Sequence, residues 1–271
     1  MRWAQIEIEA AGDEQEAFGA LLTEVGGCHG WMGTETHVSG FLPVDERLEG
    51  TLLNLREQAG RELTIRFVAE EDWADSWKQY FKPQKIGERF VVRPSWEEYT
   101  PAEGDLIILI DPGMAFGTGL HATTRLCLRA LEQLVKPGDT VADVGTGSGI
   151  LAVGAILLGA ASVEATDNDP LAVKIARENA ELNSQTDTIQ VEVAENPPSG
   201  PFDIVVANIL PDVILGMADG LTAAVKPGGY LVVSGIIERR AEDVREGLRA
   251  RGLEVLSTEP EAEWVAIVAR K

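Results

Sequence analysis

Short apolar runs alternate with helical segments from residue 87 onward, and this alternation constrains the fold more than any other feature. Helical periodicity follows most of these runs, which are predicted to be strands. They are TVADV, VEATD, IQVEV, FDIVVANI and YLVVSGI. Parallel neighbouring strands need crossover helices, so the pattern predicts a doubly wound α/β sheet. The last two runs, LEVLS and WVAIVAR, lack an intervening helix. They predict a C-terminal antiparallel hairpin.

The first 70 residues follow a different pattern. A β-like run around Ile6 and Ile8 precedes a helical face that ends at Gly26. Two short strands, a second helical face ending at Gly60 and the run LTIRFV follow. The order βαββαβ predicts a small ferredoxin-like α+β domain.

A short aromatic segment lies between these two regions. Trp73 and Trp77 are one helical turn apart, and Pro83 ends the segment. We therefore interpret the chain as a domain over residues 1–70, a linker helix over 71–86 and a second domain over 87–271.

The composition is that of a folded protein with an acidic surface. Hydrophobic residues make up 45% of the chain, and the net charge is −21. Nucleic-acid affinity depends on clustered Lys and Arg, so the charge argues against direct nucleic-acid binding and suits a basic protein partner or solubility alone.

The cysteine count and the apolar runs bear on the compartment. Two cysteines are too few for a disulfide framework, and no His, Cys or carboxylate spacing indicates a metal site. The N-terminus lacks a basic segment followed by an apolar one, and no apolar run reaches the ~20 residues of a membrane span. These features predict a cytoplasmic protein without a membrane segment or a metal.

The run VADVGTGSG is the strongest local motif. It reads as a strand entering a glycine turn that opens a helix, where the backbone can approach a ligand closely. A dinucleotide-binding turn needs the order G-x-G-x-x-G, but the third glycine position is Ile150. The mismatch favours a cofactor without a pyrophosphate, with a purely structural turn as the alternative.

Two polar residues follow neighbouring strands of the predicted sheet. Asp167 ends the second strand, where a carboxylate can accept both ribose hydroxyls of a nucleoside, although it could also be a surface-loop residue. Asn208 ends the fourth strand, and its side chain and the Ile209 carbonyl offer two acceptors suited to an amine. The alternative for Asn208 is a cap of the following helix.

These residues resemble class I S-adenosylmethionine-dependent methyltransferases. The run DPGMAFGTGLHATT, together with EDWADSWKQYFKP, VVRPSWE and VVANIL, closely resembles the PrmA family, which methylates a large-subunit ribosomal protein. The likeness extends from about Glu71 to the C-terminus. It implies S-adenosylmethionine as the cofactor and a substrate-recognition role for the first domain.

The resemblance also implies site residues. The residues expected at the cofactor are Phe116, Thr118, Thr124, Gly145, Gly147, Asp167 and Asn208. The loop around Phe116 and Thr118 is expected to close over the cofactor. The chain departs from the family at Thr146, where Cys is frequent, and at Pro211, where Ala is common.

The chemistry of an amine acceptor decides the mechanism. A lysine with a pKa near 10.4 must become neutral before it attacks a sulfonium methyl group, at a cost of roughly 4 to 5 kcal/mol at pH 7. We expect Asn208 and the Ile209 carbonyl to orient the neutral amine while Phe116 helps to exclude water. No dedicated base is required. We interpret His121 as a structural residue at the start of a helix, with a general base as the alternative.

The sequence thus predicts a monomeric protein-lysine N-methyltransferase that acts on ε-amines, and on an N-terminal α-amine, of a basic ribosomal protein. A methyltransferase of another protein or of a small amine is the alternative. An NAD-linked oxidoreductase is disfavoured by the glycine spacing. An RNA-binding module is disfavoured because residues 1–70 hold thirteen acidic and five basic residues.

Overall fold

The computed structural model describes residues 2–12, 14–28, 31–33, 36–45, 47–69, 82–111 and 121–271. Its internal contacts divide the chain into two compact units, residues 1–81 and residues 82–271. Among the described residues, none of the helices has both the length and the apolar character of a membrane span.

The first unit has the ferredoxin-like arrangement that the sequence predicts. Its elements are β1 (Arg2–Glu9), α1 (Glu14–Glu24), β2 (Trp31–Gly33), β3 (His37–Pro43), α2 (Leu48–Ala59) and β4 (Leu63–Ala69). The strands pair antiparallel in the order β2-β3-β1-β4. Ile6 and Ile8 of β1 are fully buried with Leu22 and Leu55 of the two helices, so the apolar periodicity defines the core.

The second unit begins with a small sheet that the sequence analysis missed. Its strands are β5 (Gln84–Ile86), β6 (Phe90–Arg93) and β7 (Leu106–Leu109), in the order β5-β6-β7. Gln84–Ile86 was expected to end the linker helix and is instead a strand. Residues 71–81 of that predicted helix lie outside the described residues.

A seven-stranded sheet forms the centre of the second unit. Its elements are α3 (Ala122–Leu134), β8 (Thr140–Val144), α4 (Ile150–Leu157), β9 (Ser162–Asp167), α5 (Pro170–Leu182), β10 (Ile189–Val193), β11 (Phe202–Asn208), α6 (Pro211–Gly216), α7 (Ala218–Ala224), β12 (Val225–Ile237), α8 (Ala241–Arg249), β13 (Glu254–Glu261) and β14 (Trp264–Arg270). The order is β10-β9-β8-β11-β12-β14-β13. The first five strands are parallel, and β14 is antiparallel to both of its neighbours, which confirms the predicted hairpin.

Both faces of this sheet are buried. Ile204 and Val206 of β11 belong to one apolar cluster, whereas Val205 and Ala207 belong to the cluster on the opposite face. Successive side chains of a strand point to opposite faces, so an uninterrupted apolar run is the signature of a strand covered on both sides. The predicted α/β class is therefore confirmed.

Candidate functional site

The glycine turn follows β8, at the edge of the sheet where the parallel strands end. Gly145, Gly147 and Gly149 have φ angles of 72°, 55° and 81°. This left-handed region disfavours residues with a Cβ atom, which explains why glycine occupies each position. Gly149 is the N-cap residue of α4, so the turn leads directly into the amino end of a helix.

Asp167 ends the neighbouring strand β9 and binds the glycine turn. Its Oδ2 accepts a hydrogen bond from the Gly147 N–H at 2.9 Å, and its Oδ1 accepts one from the Asp169 N–H at 3.0 Å. The surface-loop interpretation of Asp167 is therefore wrong. Asp169 caps α5 by accepting from the Leu171 N–H at 2.8 Å.

Asn208 ends β11, on the other side of β8. Its Nδ2 donates to Thr124 Oγ1 at 3.5 Å, and Thr124 is fully buried in the first turn of α3. Its Oδ1 is buried and has no hydrogen-bond partner among the described residues. The N-cap of α6 is Leu210, so Asn208 does not cap that helix. An unpaired buried acceptor is costly unless a donor reaches it.

Ile209 connects this corner to the glycine turn. A Cβ atom at Gly145 would collide with the Ile209 side chain, so the absence of a side chain at Gly145 allows this close packing. The Ile209 N–H donates to the Ser234 carbonyl of β12 at 3.2 Å. The Ile209 carbonyl lies against Gly235, where a Cβ atom would also collide. The structure thus brings Ile209 together with Gly145.

A buried carboxyl group lies two residues before the first glycine of the turn. Asp143 of β8 is completely buried, and its Oδ2 accepts a hydrogen bond from Thr146 Oγ1 at 2.6 Å. Burial raises the pKa of Asp143 to about 7, although the Thr146 hydrogen bond opposes the shift. Its Oδ1 has no partner among the described residues. The sequence motifs did not predict a role for this residue.

Two asparagines near the carboxyl end of α5, Asn179 within the helix and Asn183 at its C-cap, were also missed. The Asn179 Nδ2 donates to the Ser148 carbonyl of the glycine turn at 2.8 Å, and its Oδ1 accepts from the Asp111 N–H at 3.2 Å. Asn183, one helical turn later, bonds both backbone groups of Leu109. Two amides four residues apart at the end of a predicted helix are the signal that could have identified this connection.

His121 lies at the start of α3. Its Nδ1 is 2.8 Å from Thr123 Oγ1 and accepts from the Thr123 N–H at 3.4 Å, so the ring caps the helix. Burial and the nearby Arg125 lower the pKa of His121, against the opposing effect of Glu263 and Glu261. These contacts agree with the structural interpretation of His121.

Two of the residues expected at the cofactor lie outside the part of the chain that the structure describes. Phe116 and Thr118 lie within residues 112–120, outside the described residues. Within the described parts of the chain, no group of three or more His, Cys, Asp or Glu residues could hold a metal ion.

Glycines with positive φ, a buried unpaired amide oxygen and an acidic residue at the adjoining strand end suit a small polar cofactor such as S-adenosylmethionine. Together with the strand order and the terminal hairpin, they define a class I S-adenosylmethionine-dependent methyltransferase. A family model described as "Ribosomal protein L11 methyltransferase (PrmA)" matches residues 31–271. The chain belongs to this family.

Similar proteins agree with that assignment. A protein named ribosomal protein L11 methyltransferase from Pelotomaculum thermopropionicum is 50% identical, over 86% of this chain and 79% of its own length. A protein of the same name from Chloroflexus aurantiacus is 36% identical, over 99% of this chain and 98% of its own length. A solved ribosomal protein L11 methylase from Lactobacillus delbrueckii subsp. bulgaricus has a TM-score of 0.66 and 33% identity, and covers 70% of this chain and 100% of its own.

Proposed function

We propose that this protein transfers methyl groups from S-adenosylmethionine to lysine ε-amines of ribosomal protein L11, with the N-terminal α-amine as a second acceptor. The observation that carries the proposal is the Asn208 corner. It has a buried, unpaired amide oxygen at the carboxyl end of β11, and Ile209 beside it packs on the glycine turn. The names of the relatives support the substrate.

The cofactor contacts are proposed for residues at three adjoining strand ends, for one residue of α3 and for two residues of the range 112–120. Asp167 would accept hydrogen bonds from the ribose hydroxyls, and the glycine turn would allow close approach of the backbone. The full set is Phe116, Thr118, Thr124, Gly145, Gly147, Asp167 and Asn208. S-adenosylmethionine, when bound, supplies an electrophilic methyl group on a sulfonium.

The proposed role of Asn208 and Ile209 is to orient the acceptor amine. Asn208 Oδ1 and the Ile209 carbonyl oxygen can each accept an N–H from a neutral amine, which directs its lone pair away from them. Deprotonating a lysine at pH 7 costs roughly 4 to 5 kcal/mol, and desolvation lowers that cost. The proton leaves to water before the attack, so this site acts by positioning.

Residues 1–70 would recognise the basic ribosomal protein, with residues 71–81 as the linker to the second unit. The protein would act as a cytoplasmic monomer without direct contact with nucleic acid or membrane. The net charge of −21 supports a basic partner, because opposite charges speed association.

The test is methylation of purified ribosomal protein L11 with methyl-labelled S-adenosylmethionine, followed by mass mapping of the modified amines. Label on lysine ε-amines supports the proposal. Absence of label on L11, with label on another protein or a small amine, would replace it with the alternative substrate class.

Replacing Asn208 tests the amine-orienting role. We expect Asn208→Ala to lower the methylation rate at saturating cofactor at least about tenfold, which corresponds to about 1.4 kcal/mol, with a thermal midpoint close to the parent's. The cofactor Kd is measured in parallel, because Asn208 is also proposed to contact the cofactor. A parental rate in the folded variant contradicts the role.

A further inference from the structure

One face of α3 is directed at the turn of the terminal hairpin. His121, Arg125 and Arg129 are spaced four residues apart at and after the start of the helix, so their side chains share a face. Glu261 and Trp264 are direct cross-strand partners at the ends of β13 and β14, so their side chains extend from the same side of the hairpin.

The two surfaces meet through an ion-pair cluster and a ring contact. Arg125 Nε donates to Glu261 Oε1 at 2.5 Å, and Arg129 donates to the other carboxylate oxygen. The His121 and Trp264 rings pack edge to face with their centroids 4.9 Å apart. The Glu261 side chain is only 22% exposed, so solvent screens these pairs less than it screens a surface pair.

The charge and the hydrogen bonds of Glu261 indicate a carboxylate that is ionised and held in one position. Partial burial acts to raise the pKa of Glu261, but hydrogen bonds from Arg129 and Arg125 outweigh it and leave that pKa below its ordinary value. Charge-assisted bonds to two guanidinium groups also restrict the carboxylate geometrically. The hairpin therefore presents an anion with a defined position to the helix.

This contact lies at the end of α3 that carries Thr124. Leu128 and Leu131 pack the middle of the helix into the core. The ion pair with Glu261 is made nearer the start of the helix, by Arg125, which directly follows Thr124. Thr124 in turn meets Asn208 of the candidate site. The loss of Glu261 should thus loosen the first turn of α3 without removing its core contacts.

We propose that Glu261 is a positioning residue that holds the first turn of α3, and thereby keeps Thr124 in place against Asn208 at the cofactor and amine site. This inference rests on the proposed function. It assigns a role to the terminal hairpin, which itself supplies none of the residues proposed to contact the cofactor.

The primary test compares Glu261→Ala with Glu242→Ala. Glu242 of α8 is a matched control, because its carboxylate also pairs with two arginines, Arg245 and Arg249. We expect Glu261→Ala to raise the calorimetric Kd for S-adenosylmethionine at least about fivefold, and Glu242→Ala to leave it unchanged. Glu261→Gln, which keeps one acceptor oxygen, should give an intermediate value.

Amide hydrogen exchange in the free protein provides a second readout. Exchange at Thr124 and Arg125 should accelerate in Glu261→Ala and not in Glu242→Ala, because only the first variant frees that turn. Equal exchange in the two variants overturns the positioning role.

A double-mutant cycle with Thr124→Val distinguishes an effect that Glu261 exerts through Thr124 from a general loss of protein stability. If Glu261 acts through Thr124, Glu261→Ala should cause little further loss of cofactor affinity in the Thr124→Val background. Additive losses, or an unchanged Kd in Glu261→Ala alone, overturn the inference. A parent that binds S-adenosylmethionine but methylates no L11 overturns only the proposed substrate.

Discussion

At the scale of single residues, the site depends on side chains that hold backbone turns. The Asp167 carboxylate uses one oxygen for the Gly147 N–H and the other for the Asp169 N–H. A carboxylate oxygen has more than one lone pair, so the same group can still accept from ribose hydroxyls. Asp167 therefore both shapes the turn and remains available to a ligand.

Replacing Asp167 should weaken the cofactor complex. We expect Asp167→Ala to reduce S-adenosylmethionine binding by about 2 to 3 kcal/mol, the scale of charge-assisted hydrogen bonds, as measured by calorimetry. Asp169→Ala is the control. It removes the cap of α5 and should cost about 1 kcal/mol of stability without a comparable loss of affinity. Unchanged affinity in folded Asp167→Ala would refute the assignment.

At the scale of elements, an irregularity in β12 shapes the amine corner. The pairing of β12 with β14 shifts register between Val233 and Ile236, and Gly235 within this segment has a φ of 81°. The bulge brings the Gly235 backbone against the Ile209 carbonyl. A strand irregularity thus sets the position of an atom proposed to orient the substrate.

Gly235→Ala should disturb that corner. The left-handed φ costs an alanine about 1 kcal/mol, and the collision with the Ile209 backbone adds to this, so we expect a total loss of roughly 2 kcal/mol in unfolding free energy. The methylation rate at saturating cofactor should fall about tenfold as the carbonyl shifts. Chemical denaturation and the labelled-cofactor assay measure the two effects.

Gly252→Ala is the matched control for that variant. Gly252 also has a φ of 81°, but a Cβ atom there would meet nothing within 4 Å. It should show the conformational cost alone and keep the parental rate. A similar rate loss in both variants would show that the proximity of Gly235 to Ile209 is irrelevant to turnover.

At the scale of the whole molecule, two units of different construction share one chain. The unit of residues 1–81 contains an antiparallel sheet, and the unit of residues 82–271 contains the parallel sheet with the candidate site. One buried cluster lies in the first unit and two lie in the second, on opposite faces of its seven-stranded sheet. Separate cores are the physical basis for independent folding.

Because the two units have separate cores, we predict that a fragment can keep cofactor binding and lose substrate recognition. A fragment of residues 82–271 should bind S-adenosylmethionine with a Kd within about threefold of the full chain's, because the described candidate site lies in that unit. Its methylation of L11 should fall at least about tenfold, as followed by label incorporation. Full activity of the fragment would contradict substrate recognition by the first domain.

Local sequence patterns predicted most of the fold. Apolar periodicity depends on near neighbours in the chain, so the βαββαβ unit, the alternating strands and helices and the terminal hairpin follow from it. The small sheet of β5, β6 and β7 was missed, because its short strands pair without intervening helices. Its parallel pair, Phe90–Arg93 with Leu106–Leu109, has no local signature.

Local patterns were enough to identify the strand ends and the glycine turn, because turn chemistry and apolar alternation depend on near neighbours in the chain. Which of these residues meet depends on the folded chain as a whole. Asn208 reaches Thr124 across 84 positions of the chain, and Arg125 reaches Glu261 across 136. The order of strands in the sheet creates such contacts, and that order is fixed by the packing of the whole core rather than by any segment.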